Sequence, residues 1–117
     1  MPEGEKIEDK KMPEDTIKFL KKAINRNLDF ISEDGNWLNY YELLGFFNIA
    51  LESPEDFREE IERFKEIYEG HKWGFEEFLK SFSDVELRKS YEELINEIIK
   101  LNEKLKEKSK EKLESVS

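Results

Sequence analysis

Cysteine is absent from the 117 residues, and with it go disulfide bridges, thiolate metal sites and cysteine nucleophiles. Glutamine is absent too, and histidine occurs once, as His71 between Gly70 and Gly74. A single histidine without Glu-x-x-His or His-x-x-x-His spacing gives a metal ion too few ligands. The five glycines are scattered, so neither a phosphate-cradling loop nor a Gly-x-Ser-x-Gly nucleophile elbow can be drawn. No catalytic, cofactor-binding or metal-binding set is therefore expected, and the chain reads as a protein that is not an enzyme. Basic charge is also in deficit. Twenty Lys and Arg stand against 29 Asp and Glu, a net charge of −9, which argues against direct binding to nucleic acid, where phosphate neutralisation supplies the affinity. Residues 14–99 alone hold eleven basic and twenty-one acidic groups, a field suited to a basic protein partner or simply to solubility. The first residues, MPEGEKIEDKK, contain no apolar leader, which sets the expectation of a cytoplasmic protein. The dominance of Glu and Lys, with 42% of residues charged, resembles the ion-pair-rich surfaces of heat-adapted proteins.

Against this charged background one stretch stands out, Asn36 to Leu51 (NWLNYYELLGFFNIAL), where Glu42 is the only charge. At the helical period Trp37, Tyr40, Leu44, Phe47 and Leu51 share one face, while Leu38, Phe46 and Ile49 lie on the back. A helix apolar on two sides is normally central and buried. Sixteen residues rise only about 24 Å, short of the ~30 Å of a bilayer core, so a membrane span is not expected.

The remaining segments read as helices that cover this one. Residues 1–13, with Pro2, Gly4 and Pro13 and no periodicity, read as a flexible arm. From Pro13 onward Ile17, Leu20, Ile24, Leu28 and Ile31 form one face and Lys18, Lys21, Lys22 and Arg26 another. Gly35 is expected to turn the chain in a left-handed conformation and Asn36 to cap the next helix. Ser53-Pro54-Glu55-Asp56 opens a third helix with the stripe Phe57, Ile61, Phe64 and Tyr68, and with Arg58–Glu62, Glu59–Arg63 and Lys65–Glu69 spaced as surface ion pairs. Phe75, Phe78, Leu79 and Phe82 mark a short fourth helix. Ser83 and Glu86 suggest a capping box for a long last helix, with a heptad seam of Leu87, Tyr91, Leu94, Ile98, Leu101 and Leu105 broadened by Ile95 and Ile99. The expected fold is an all-α bundle of about five helices around a central apolar helix, with the domain over 14–105 and a charged helical extension over 106–117.

Function is then expected in surface rather than chemistry: an adaptor, regulator or accessory subunit. Three groups of residues are candidates for partner binding. The first is the back of the central helix, Leu38, Phe46 and Ile49. The second is the acidic row Glu55, Glu59, Glu62 and Glu66, which could instead mimic nucleic-acid phosphate for a basic protein. The third is Leu101 and Leu105, expected to reach beyond the body and offer a weak contact, leaving the chain a monomer or a weak homodimer. Leu43-x-x-Phe46-Phe47 resembles the aliphatic-x-x-aromatic-aromatic core of the box by which replication and repair proteins bind the sliding clamp; the resemblance covers five residues and implies clamp contact, although Tyr40 replaces the glutamine of that box. An enzyme built on Glu42 and His71 would require the two to meet.

Overall fold

The computed structural model describes residues 12–33 and 35–116, with side chains as far as Glu107. These residues form α1 (Glu14–Glu33), α2 (Trp37–Ala50), a 3-10 turn at Pro54–Phe57 leading into α3 (Arg58–Gly70), a short α4 (Lys72–Lys80) and α5 (Val85–Val116). Among the described residues there is no strand, and the fold is an all-α bundle. None of these helices is long and apolar enough to cross a membrane. The expected arm falls mostly outside the described residues, but Met12 packs against the core.

Helices α1 and α2 form an antiparallel hairpin whose turn is closed by Asn36. Its Oδ1 accepts from the Leu38 and Asn39 amides at 2.9 and 3.3 Å, and the Asn39 side chain accepts in return from the Asn36 amide at 3.0 Å. Gly35 does not take the expected left-handed conformation, since no described glycine has positive φ. Space demands it instead, because a Cβ there would stand 2.9 Å from the Ile31 Cα. The caps of the later helices also differ from expectation. The Ser53 hydroxyl turns to the Asp56 carboxylate, and the chain enters α3 through the 3-10 turn. Asp84, not Ser83, caps α5, accepting from the Glu86 and Leu87 amides at 3.0 and 3.2 Å.

Helix α3 packs on both α1 and α5, while α4 bridges α2, α3 and α5. The core holds Leu20, Ile24, Leu28 and Ile31 of α1, Tyr40, Leu43, Leu44, Phe47 and Ala50 of α2, Phe57, Ile61 and Phe64 around α3, and Phe75 and Phe78 of α4. Aromatic rings form its spine. Phe47 meets Phe64 at 5.3 Å, Phe64 meets Phe75 at 5.6 Å, and Tyr40 sits on Phe75 at 4.7 Å and stacks on Phe78 at 5.4 Å. Each such pair is worth about 0.5–1.5 kcal/mol beyond the area it buries, which is how a nine-residue α4 is held in place.

A polar clamp joins α1 to α3 on the other side. Glu60 is 3% exposed, and its two oxygens accept from Lys21 Nζ at 3.1 Å and Asn25 Nδ2 at 2.8 Å. Arg63, spaced for Glu59, reaches across to the Asp29 carboxylate and to the Asn25 side-chain oxygen at 3.0 Å. A guanidinium offering several fixed donors is better satisfied by two partners on a facing helix than by one exposed carboxylate on its own.

Two apolar stripes are rotated from those expected. On α2, Trp37 is exposed and Leu51 only half-buried, while Leu43 and Ala50 are fully enclosed. On α5 the buried positions are Ile95, Ile98, Asn102 and Leu105, continuing half-buried Tyr91 at steps of four and three, so Asn102 replaces Leu101 in the seam. Leu87 is exposed, Leu101 half-buried and Leu105 buried, which corrects the expectation that Leu101 and Leu105 reach beyond the body. The cause lies in α4. Phe78 and Phe82 reach Tyr91 at 5.9 and 5.2 Å, so α5 meets the body from Tyr91 onward, and Arg58 Nη2 then donates to the Leu105 carbonyl at 3.1 Å.

Candidate partner-binding surface

Among the described residues, the outer side of the α1–α2 hairpin has no helix over it. From α1 it receives Phe19, Lys22, Ala23, Arg26 and Phe30, spaced at three and four residues and so collinear along the helix. From α2 it receives Leu38, Glu42, Phe46 and Ile49, the second collinear row. Phe19 is 60% exposed and so is Leu38; Phe30 and Ile49 are also exposed, and Phe46 is half-buried. Phe19 and Phe46 meet edge to face at 5.9 Å across the two helices. The groove between the rows encloses about 640 Å³.

Its floor is built from amides. Asn27, 4% exposed, donates to the Ala23 carbonyl at 3.0 Å and accepts from Asn39 Nδ2 at 3.1 Å, so α1 and α2 are fixed in register beneath the aromatics. The charges are arranged by wall: Lys22 and Arg26 on α1, Glu42 on α2. Arg26 lies over the Phe30 ring at 5.7 Å, and Glu42 makes no ion pair among the described residues. Gly45, on the same side of α2, has open space where a Cβ would be. A row of rings, a flat glycine and unpaired charges of both signs can hold an amphipathic helix; the groups offer no nucleophile and no acid–base pair.

Of the candidate residues, Phe46 lines the groove, while Leu38 and Ile49 are exposed on the same side of α2 without lining it. Glu55 of the 3-10 turn and Glu59, Glu62 and Glu66 of α3 are all exposed, apart from this groove. Leu101 is half-buried and Leu105 lies in the core, so neither belongs to a surface site. In the clamp-like box, Leu43 and Phe47 are fully buried and Phe46 is half-buried. Glu42 lines the groove and His71 a different cleft, so the two are not assembled into one site. Among the described residues no three histidine or acidic side chains gather as a metal ion would require. Sequence reasoning missed Phe19 and Phe30. The signal was present, since both are large apolar residues lying off the stripe that α1 buries. Comparison with known protein families, with characterised proteins and with solved structures finds no match.

Proposed function

We propose that the chain is a helical protein–protein interaction module without catalytic activity, and that it docks an amphipathic helix of a partner protein along the α1–α2 groove. The observation that carries this reading is the apolar outer face of the hairpin, where Phe19, Phe30, Leu38 and Ile49 are exposed and Phe46 is half-buried beside Lys22, Arg26 and Glu42. Water leaves such a surface favourably, and monomers seldom keep one this continuous unless it is used. The partner helix would bring apolar residues at i, i+4 and i+7, carboxylates toward Lys22 and Arg26, and a basic residue toward Glu42. Freedom from disulfides suits work in the cytoplasm.

A second reading is favoured by one specific observation, that Glu55 of the 3-10 turn and Glu59, Glu62 and Glu66 of α3 are all exposed. On it the chain would act in a nucleic-acid process by presenting carboxylates where a basic protein expects phosphates. Affinity capture separates the two. Proteins retained by the wild-type chain should be lost from a Phe46→Ser, Ile49→Ser double variant and kept by Glu59→Ala, Glu62→Ala, since central apolar contacts carry ~2 kcal/mol or more each. The reverse pattern, with retention collapsing as salt is raised, establishes the acidic face. Capture indifferent to both pairs of substitutions removes the groove as a docking surface.

A further inference from the structure

A second cleft opens where α1 and α3 end and α2 and α4 begin, about 390 Å³ in volume, and both tryptophans of the chain stand on it. Trp37 rests edge-on against Tyr40 at 5.6 Å and tilts over Phe78 at 6.0 Å, with its remaining surface open. Trp73 is 73% exposed and makes no ring contact among the described residues. An indole left that far in water has no structural return from its own chain, unlike the rings of the core.

The floor of the cleft is Tyr40, 5% exposed, whose hydroxyl has no hydrogen-bond partner among the described residues. That hydroxyl lies against Gly74, where even a methyl group would overlap it, so the glycine keeps the oxygen's space clear. The ring is enclosed while the hydroxyl keeps access to the cleft, where a ligand can reach it. Glu33 stands on the rim without an ion pair among the described residues. The helix ends reinforce its charge. Neither α1 nor α3 carries a basic residue in its last turn, so their carbonyl ends are uncompensated, while the orphan amides of α2 are taken up by Asn36. The competing feature is the start of α4, which His71 leaves uncapped and beside which Lys72 is exposed.

We infer that this cleft binds an organic cation, an alkylammonium or guanidinium group held against the faces of Trp37 and Trp73, with the Tyr40 hydroxyl and the Glu33 carboxylate as its polar partners. The site is separate from the α1–α2 groove and does not depend on what that groove binds. The cation could be a free small molecule or a basic side chain of a polypeptide, and the two are told apart by the probes. Because both tryptophans line the cleft, the intrinsic fluorescence of the full chain reports occupancy directly. Titration with tetramethylammonium chloride or with N-acetylarginine amide should give a saturable change that sodium chloride at equal ionic strength does not. Trp73→Ala should weaken binding about tenfold. Tyr40→Phe should weaken the arginine probe alone, since tetramethylammonium has no N–H to give the hydroxyl. Exposed Trp73 can be removed without disturbing the core, and unchanged far-ultraviolet circular dichroism verifies this. Tighter binding of an arginine flanked by alanines than of the single amide assigns the cation to a polypeptide, and equal binding to a free molecule. The inference is overturned by the absence of a saturable change, by a change that Trp73→Ala leaves intact, or by saturation with acetate in place of the cations, which would give the cleft to an anion at the start of α4.

Discussion

Asn102 is the residue whose replacement should say most about how α5 is held. It is 2% exposed, occupies a seam position between Ile98 and Leu105, and its Nδ2 has no hydrogen-bond partner among the described residues. Beside it Arg58, Glu62, Leu105 and Lys106 surround a depression of about 250 Å³. An unmet buried donor costs about 1–3 kcal/mol, and Asn102→Leu removes it while adding an apolar side chain worth up to ~1.5 kcal/mol on burial. Set against these are the different branching of leucine and any contact of the amide oxygen, together about 1–2 kcal/mol. The net expectation is a gain of roughly 1–2 kcal/mol in urea denaturation at unchanged m, with Tm higher by about 4–8 °C per kcal/mol in a domain of this size. Asn102→Ala, which removes the donor but leaves a void, should be near neutral. A loss of more than ~1 kcal/mol in Asn102→Leu, with m unchanged, would refute the reasoning. It would mean that the amide is satisfied through water in the adjacent depression, and that the polar residue contributes stability rather than costing it.

Leu105→Glu should destabilise the chain by about 3 kcal/mol or more, because it places a charge in the core, and should leave the mass from light scattering unchanged; a dimer lost without loss of stability would return Leu105 to a contact surface. Burial raises the pKa of Tyr40, Tyr68 and Tyr91 above 10.0, with Glu76 adding to the shift at Tyr68 and Tyr41 at Tyr91. A raised folded value means that the folded state holds these protons longer, so their stabilisation is complete below pH 10 and is lost as pH climbs through the folded values. Thermal melts across the alkaline range should fall, and less steeply in Tyr40→Phe; identical slopes would remove Tyr40 from the effect.

The faces of α1 and α3 were readable because each helix buries one side only. Leu20, Ile24, Leu28 and Ile31, and Phe57, Ile61 and Phe64, repeat at three and four residues among lysines and glutamates, and the contrast leaves one solution. On α2 that contrast is missing. When Trp37, Leu38, Tyr40, Tyr41, Leu43 and Leu44 are all apolar or aromatic, periodicity cannot say which of them turns inward, and the answer is set by where Phe64, Phe75 and Phe78 of other helices arrive. The same holds on α5. Leucines at 94, 101 and 105 and isoleucines at 95, 98 and 99 support two seams one residue apart, and the choice between them falls to Phe78 and Phe82, which fix where Tyr91 docks. That choice places Asn102, rather than Leu101, against α3.

The surfaces were legible only in part, for a related reason. Leu38, Phe46 and Ile49 could be named because a helix apolar all round must leave something over, but Phe19 and Phe30 look like noise around a good stripe until α2 is laid beside them. The tryptophan cleft could not be seen in any window, since Glu33–Trp37 and Gly70–Gly74 are distant in sequence and meet only because two helix hairpins turn at the same end. Helix α2 is common to both sites. Asn39, Glu42 and Phe46 line the groove, with Leu38 and Ile49 exposed on the same side of the helix, while Trp37 and Tyr40 form part of the cleft. α1, α4 and α5 wrap the side that carries Leu43, Leu44 and Phe47, and among the described residues there is no further helix for the rest. Covering the outer row with one more helix would bury Phe46 and Ile49 at ~1.5–3 kcal/mol each, so leaving them in water is a cost that stability alone would select against. The central helix is therefore the centre of the core and, on the function proposed above, also the element by which the chain would meet other molecules.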